Sequence, residues 1–401
     1  MNNFINVKIP DTIIGFGAIN RLGELVEKFE ARKILVITDR GIVKAGIVDM
    51  IKVPLEKARC NFDLYDKCEP EPPYNSLMKL ADSIRAGKYD LLIGVGGGSV
   101  MDATKVASQL ALNEGVAVPD LISGKALKKS LPKILIPTTA GTGSEWSKMA
   151  VVYDDKVDNE VDMTKVYISE QNFADAVVID PELTMNLPQR ITADTGMDAL
   201  THAIEAYTCR LANVMSDMFA GTAIKLIAQN LRLAYNNGKN DSQARYNMSV
   251  AASLAMNASV MSGLGMAHFA NEPLGKKAKI SHGAACTLML PHVMQFNLVA
   301  TPEKFAQIAE MMGENIDGLS ITDAAQKSVE AVKRLAKDIG MKRGLSDTKM
   351  SDADIVSMVE SVHKHSGPVI NMMNPRDVSP DDTKSLFVLA IRGHSEDYID
   401  R

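Results

Sequence analysis

Asp198 and His202 stand four residues apart in GMDALTHAIEAY, a stretch otherwise built largely from Ala, Leu, Ile and Met. On an α-helix that spacing is about 400° of rotation, so both side chains leave the same face and can converge on one ion. The same spacing also suits an ordinary surface or capping pair. Of the seven histidines in the chain, two more fall in one glycine-rich region, His268 in SGLGMAHFANEPLG and His282 in KISHGAAC. One carboxylate with three imidazoles is a mixed oxygen and nitrogen donor set, suited to Fe(II) or Zn(II) and poorly suited to Mg(II) or Ca(II). A cation held there would polarise a carbonyl oxygen as a Lewis acid.

A second kind of chemistry is written in two loops. GVGGGSVMDATK (Gly94 to Lys105) follows an apolar run and opens a helical pattern. Glycines let backbone N–H groups approach a pyrophosphate, and a helix N-terminus adds favourable partial charge. The loop departs from the GxGxxG fingerprint, because Ser99 stands where the last glycine would be, and taken alone it also fits a tight turn. PTTAGTGSEWS (Pro137 to Ser147) supplies hydroxyls and two glycines at a second strand end. Asp39, directly after the run KILVIT, would accept hydrogen bonds from a ribose diol and repel a 2'-phosphate, favouring NAD over NADP. Arg40 beside it weakens that discrimination, and a solvated turn residue is the alternative reading.

Elements must carry these groups. KILVIT (Lys33 to Thr38), DLLIGV (Asp90 to Val95), KILIPTT (Lys133 to Thr139) and AVVID (Ala176 to Asp180) read as buried strands, and SLMKLADSIRAGK between the first two has helical spacing. The alternation predicts a parallel sheet covered on both faces. After DPELTMNLP (Asp180 to Pro188) long Ala, Met and Leu segments follow the helical period. The expectation is an α/β dinucleotide-binding domain over 1–188 and an all-α metal-binding domain over 189–401, with a cleft bringing the Lewis acid close to a nicotinamide.

The rest of the composition narrows the classes. A chain of 401 residues, 46% hydrophobic and 23% charged, is too long for one core. A formal net charge of -5 with acids and bases interspersed provides no basic face for nucleic acid and no polybasic stretch for a membrane. The N-terminus lacks a basic head with an apolar run behind it, and no run approaches the roughly 20 apolar residues needed to span a bilayer, so a cytoplasmic protein is expected. Cys60, Cys68, Cys209 and Cys286 lack CxxC spacing and read as reduced, mostly buried thiols.

Through GGGSVMDATK, PTTAGTGSE, DPELTMNLP, TGMDALTHAIEAY, GLGMAHFANEPLG and HGAACTLMLPHVMQFN, in that order, the chain resembles the iron-containing (group III) alcohol dehydrogenase family over essentially its whole length. The resemblance implies that Asp198, His202, His268 and His282 ligate Fe2+ (or Zn2+). It implies that Gly97, Gly98, Ser99, Asp102, Thr138, Thr139, Ser147 and Lys165 hold NAD, with Asp39 at the adenosine ribose. The implied fold is an N-terminal Rossmann-like domain followed by a helical domain like that of dehydroquinate synthases. The implied reaction is interconversion of a small aldehyde and its primary alcohol by hydride transfer, in a homo-oligomer (dimer or larger).

One departure stands out. Many members carry a further histidine four residues after the first glycine-loop histidine, credited with proton transfer; this chain has Glu272. That carboxylate either relays protons or is a structural acid paired with Lys276 or Lys277. Lys276, Lys277 and Lys279 either attract an anionic aldehyde, sulfonated, phosphonated or carboxylated, or form a solvated face. Trp146 is expected to pack. His292 is expected to pack in a helix, and His363, His365 and His394 lie in polar surroundings; none receives a catalytic role. Two rivals remain open: a dehydroquinate synthase-like lyase that uses NAD transiently, and a non-catalytic nucleotide- or metal-binding protein.

Overall fold

Short apolar runs and long apolar stripes fold into different things in this chain. The structure, a computed structural model, describes residues 7–392 apart from 126, 128, 343, 346, 347 and 349. It falls into two units: Lys8–Asp158 with Met163–Leu187, and Asn159–Asp162 with the chain from Pro188 onward.

The first unit contains the strands β1 (Asp11–Ile14), β2 (Ile34–Ile37), β3 (Phe62–Tyr65), β4 (Leu91–Gly96), β5 (Lys133–Pro137), β6 (Met149–Tyr153), β7 (Thr164–Ile168) and β8 (Ala176–Ile179). Its helices are α1 (Leu22–Lys28), α2 (Arg40–Lys44), α3 (Ile47–Lys57), α4 (Tyr74–Gly87), α5 (Gly98–Leu110) and α6 (Val118–Ile122). Six strands form one sheet in the order β1-β8-β5-β4-β2-β3, every pair parallel, and β6 and β7 form an antiparallel ribbon.

Alternation explains why β2 is apolar throughout. Ile34 and Val36 pack on one face with Leu22 and Leu25 of α1 and with Ile51 and Leu55 of α3. Leu35 and Ile37 turn to the other face, against Leu77 and Leu80 of α4 and Val100 and Val106 of α5. Full burial stabilises each such side chain by about 1.5–3 kcal/mol relative to exposure. The strand order reverses between β2 and β4, the position at whose carboxyl ends open α/β sheets bind ligands.

The second unit is helical: α7 (Gln189–Thr208), α8 (Val214–Asn237), α9 (Ser242–Ser262), α10 (Met266–Ala278), α11 (His282–Asn297), α12 (Pro302–Met311), α13 (Ile321–Asp338), α14 (Asp352–Met373) and α15 (Pro380–Arg392). Small residues let α7, α8 and α9 approach closely, with Ala206, Ala220 and Ala258 forming a buried cluster. Gly283 performs the same service for α11. A Cβ there would overlap the backbone carbonyl of Asp194, so only glycine lets the first turn of α11 rest on α7. Among the described residues no single helix is long and apolar enough to cross a membrane.

Candidate active site

The helical unit brings Asp198, His202, His268 and His282 together from three helices. On α7, Asp198 and His202 are buried one turn apart, with Met197, Ala199, Leu200 and Ala203 packing the rest of the helix into the core. His268 lies in the first turn of α10, which starts after Gly263 turns the chain at φ 107° and Gly265 caps it. His282 is the first residue of α11, where the Ser281 hydroxyl accepts the N–H of Ala284.

One oxygen is the common centre of these side chains. Asp198 Oδ1 lies 3.7 Å from His202 Nδ1, 3.6 Å from His268 Nε2 and 3.5 Å from His282 Nε2. These separations are too long for hydrogen bonds. They are near the spacing of donors around one small cation, since ligands at about 2.1 Å in a tetrahedron stand about 3.4 Å apart, but the group whose donors all lie within 4.8 Å of one another is Asp198, His268, His282 and Cys286, without His202. Among the described residues, His202 Nδ1 and His268 Nε2 are buried with no hydrogen-bond partner, a cost that a bound ion would remove. The His202 and His268 rings stack with centroids 4.3 Å apart.

The electrostatics point the same way. Burial alone would raise the Asp198 carboxyl, but the surrounding imidazoles overturn that and hold it well below the usual carboxylate range. Burial lowers His202 to about 3, and its neighbours His268 and His282 add to the shift against the pull of Asp198. Burial also pulls on His268, yet Cys286, Asp198 and Glu205 outweigh it and lift this imidazole to about 10. His282 is raised for the same reasons, with Glu272 adding to the effect. The pocket thus draws positive charge onto His268 and His282 and keeps His202 neutral.

Two residues of this cluster escaped the sequence reading. Glu205, 4% exposed, holds His268 Nδ1 at 2.6 Å and accepts the N–H of Ala267 at 2.6 Å. Cys286 is fully buried; its Sγ accepts from Asn271 Nδ2 at 2.7 Å and lies 3.8 Å from Asp198 Oδ1. Donor atoms of Asp198, His268, His282 and Cys286 all lie within 4.8 Å of one another. A signal existed for both: Glu205 is seven residues after Asp198 and Cys286 four after His282, each on the same helix face as that residue.

In the sheet unit, several residues assigned to the nucleotide meet at the carboxyl ends of β2, β4 and β5. Gly97 caps α5 in an extended conformation, and a Cβ on Gly98 would stand 2.9 Å from Thr142 Cγ2, so the two loops are in contact. Thr138 donates its N–H to Gly96 O at 3.0 Å, and its buried Oγ1 has no partner among the described residues. Thr139 beside it is half-buried. Ser99 Oγ accepts the N–H of Glu71 at 3.1 Å. At the end of β2, Asp39 Oδ1 accepts from Gly41 N at 2.6 Å and Ile42 N at 3.1 Å, capping α2.

Asp102, Ser147 and Lys165 are placed differently. Asp102 is 7% exposed and accepts from Lys105 Nζ, Ser144 Oγ and Val151 N, joining α5 to the ribbon. Ser147 is buried and its Oγ accepts from Met149 N at 2.9 Å. Lys165 is half-buried on β7, in register with Val152 of β6.

Two family models span most of the chain. Residues 10–181 match the iron-containing alcohol dehydrogenase family, and residues 192–391 match the C-terminal domain of the Fe-containing alcohol dehydrogenase family. The chain belongs to the iron-containing alcohol dehydrogenase family. The chain is 38% identical over 355 residues to long-chain-alcohol dehydrogenase 1 of Geobacillus thermodenitrificans (strain NG80-2), covering 88% of each chain. It is also 38% identical over 376 residues to 1,3-propanediol dehydrogenase of Klebsiella pneumoniae, covering 93% of this chain and 95% of the relative. The crystal structure of a 1,3-propanediol oxidoreductase superposes with a TM-score of 0.91 at 36% identity, covering 97% of this chain and all of that one. An N-terminal parallel α/β sheet unit followed by an all-α unit is the fold of this family, and the chain is an enzyme of alcohol and aldehyde interconversion.

Glu272, the departure singled out from the sequence, stands beside His282. Its Oε1 lies 2.9 Å from His282 Nδ1. Lys277 is engaged by Glu160 at 3.2 Å and Asp354 at 3.3 Å. Burial lowers Lys276 to about 8, and Lys279 is exposed at the end of α10. Trp146 is buried and donates from Nε1 to Thr12 Oγ1 at 3.1 Å, a packing role. His292 is buried within α11, His363 Nε2 lies 2.8 Å from Thr383 Oγ1, and His365 Nε2 lies 3.0 Å from Asp162 Oδ1. His394 lies outside the described residues.

Proposed function

We propose that this enzyme interconverts a small aldehyde and its primary alcohol with NAD(H), using a divalent first-row metal, Fe2+ or Zn2+, held by Asp198, His202, His268 and His282. When bound, such an ion polarises the carbonyl as a Lewis acid, while the nicotinamide carries the hydride. The observation that carries the reading is the convergence of three imidazole nitrogens within 3.5–3.7 Å of Asp198 Oδ1, two of them buried without hydrogen-bond partners among the described residues.

The chain's own residues do the rest. Gly97 and Gly98 open the N-terminus of α5 to a pyrophosphate, with Thr138 and Thr139 at the adjoining strand end. Asp39 supports NAD over NADP, because its charge would repel a 2'-phosphate. Burial among apolar side chains keeps the α7 ligands rigid, so the donor set needs little rearrangement to bind a cation.

The test is elemental analysis of purified protein together with an NADH oxidation screen over neutral, sulfonated and carboxylated small aldehydes. His268→Ala should lose bound metal and turnover together. Full turnover by protein shown to lack metal rejects the scheme, and NADH affinity without turnover on any aldehyde rejects the enzymatic assignment of the site.

A further inference from the structure

An imidazole offers only one ring nitrogen inward, and whatever binds the other nitrogen fixes which one that is. Carboxylates take that outer position on two of the three histidines. Glu205 Oε2 lies 2.6 Å from His268 Nδ1, and Glu272 Oε1 lies 2.9 Å from His282 Nδ1. The opposite nitrogens of the same two rings are those that stand 3.6 and 3.5 Å from Asp198 Oδ1. We propose that Glu205 and Glu272 are a matched pair of positioning residues, which accept the Nδ1–H of His268 and His282 and so aim both Nε2 lone pairs at the space beside Asp198. The proposal rests on the metal-centre reading above.

The two carboxylates are held in place by different means. Glu205 lies on α7, on the face that carries Asp198 and His202, and reaches to the start of α10. There its two oxygens also accept the N–H of Ala267 at 2.6 Å and of His268 at 3.3 Å, so backbone and ring of the same residue are fixed by one group. Gly265 makes room, since a Cβ there would stand 2.8 Å from Glu205 Oε1. Glu272 lies on α10 itself and reaches to the first residue of α11, with its side chain 27% exposed. On the far side of the His282 ring, Asn271 Nδ2 lies 3.3 Å from Nε2.

This differs from a proton relay by Glu272. A positioning carboxylate acts on metal retention whether or not substrate is present, whereas a relay acts on turnover alone.

The experiment loads the full-length protein with Co(II), measures its dissociation constant by chelator competition and records the visible ligand-field spectrum. Melting of the metal-free proteins is followed alongside. Glu272→Ala and Glu205→Ala should each weaken Co(II) binding by about 10–100-fold and alter the spectrum. Glu272→Gln and Glu205→Gln should recover part of the loss, because the amide oxygen still accepts from Nδ1–H. If Glu205→Ala fails to fold, with two buried N–H groups left unpaired, Glu205→Gln and the Glu272 variants decide. Parental Co(II) affinity and spectrum in Glu272→Ala and Glu205→Gln overturn the proposal, including where only melting temperature or only turnover falls. A parent protein that binds no Co(II) overturns the metal-centre reading with it, whereas a parent that binds while the variants match it overturns this proposal alone.

Discussion

At the scale of single residues, Asp39 carries two roles that substitution can separate. Its Oδ1 caps α2 through Gly41 and Ile42, and its charge is the proposed barrier to a 2'-phosphate. Asp39→Ser keeps a capping oxygen and removes the charge; Asp39→Ala removes both. The ratio of kcat/KM for NADPH to that for NADH should rise in both variants. Only the Ala variant should also lose about 0.5–2 kcal/mol in urea denaturation. A cofactor ratio unchanged in both would remove Asp39 from the nucleotide site. The proposed ligands Asp198 and His202 are legible in the sequence because one helical turn relates them. Glu205 shares that face yet was not legible as a partner of His268, because its target lies on another helix and only packing brings α10 to it. Cys286 reads from sequence only as one of four reduced, mostly buried thiols, since its four-residue spacing from His282 gains meaning only when α11 is seen to start against α7.

At the scale of elements, α5 shows how a nucleotide-loop helix is anchored. Lys105 is fully buried and donates to Asp102 at 3.0 Å, Ser144 Oγ at 2.5 Å and Met149 O at 2.7 Å. Burial lowers its ammonium, while Asp102 and Glu145 oppose that shift. Asp102→Ala removes the partner and leaves a buried amine facing two acceptors. Breaking such a pair typically costs about 3–5 kcal/mol, which denaturant unfolding should detect. Asp102→Leu combined with Lys105→Met should cost less than Asp102→Ala alone, because no charge is stranded; a larger cost in the double variant would show that geometry, and not charge, anchors the ribbon. Burial also explains which strands could be read from sequence. β2, β4, β5 and β8 are buried along their whole length and stand out as apolar runs. β1 and β3, half-exposed at the sheet edges, and β7, with exposed Val166 and Ile168, have no such run, whereas β6 (MAVVY) is an apolar run buried only at alternate residues and is not among the strands read from sequence. The long helices α8 and α13 were legible for the opposite reason, an apolar stripe at helical period on an otherwise polar surface.

At the scale of the whole molecule, the chain enters the helical unit before it settles there. The connection from β6 to β7 contributes Asn159–Asp162 to that unit, returns to the sheet unit through Met163–Leu187, and crosses again at Pro188. No shift in composition marks the first excursion, because four residues that dock through one buried side chain, Val161, and a few hydrogen bonds carry no periodicity. Asp162 anchors it. Burial alone would raise its carboxyl, but the hydroxyl of Ser361, the Lys364 ammonium and His365 outweigh that and hold it below the usual carboxylate value. A carboxyl whose folded value lies below its unfolded value of about 3.9 stabilises the fold fully above that value and loses its contribution as pH falls through the folded one. Neutral and mildly acidic solutions should therefore see the whole contribution, and strongly acidic ones none of it. Asp162→Asn should lower the melting temperature at pH 7 by about 2–4 °C, the shift that about 1 kcal/mol of lost hydrogen bonding produces in a domain of this size. The gap between variant and parent should close as pH is lowered below about 3.9, where the parent carboxyl is itself being protonated. A gap that persists unchanged into strong acid would mean that Asp162 acts through its shape, and that its charge does not hold the excursion to α14.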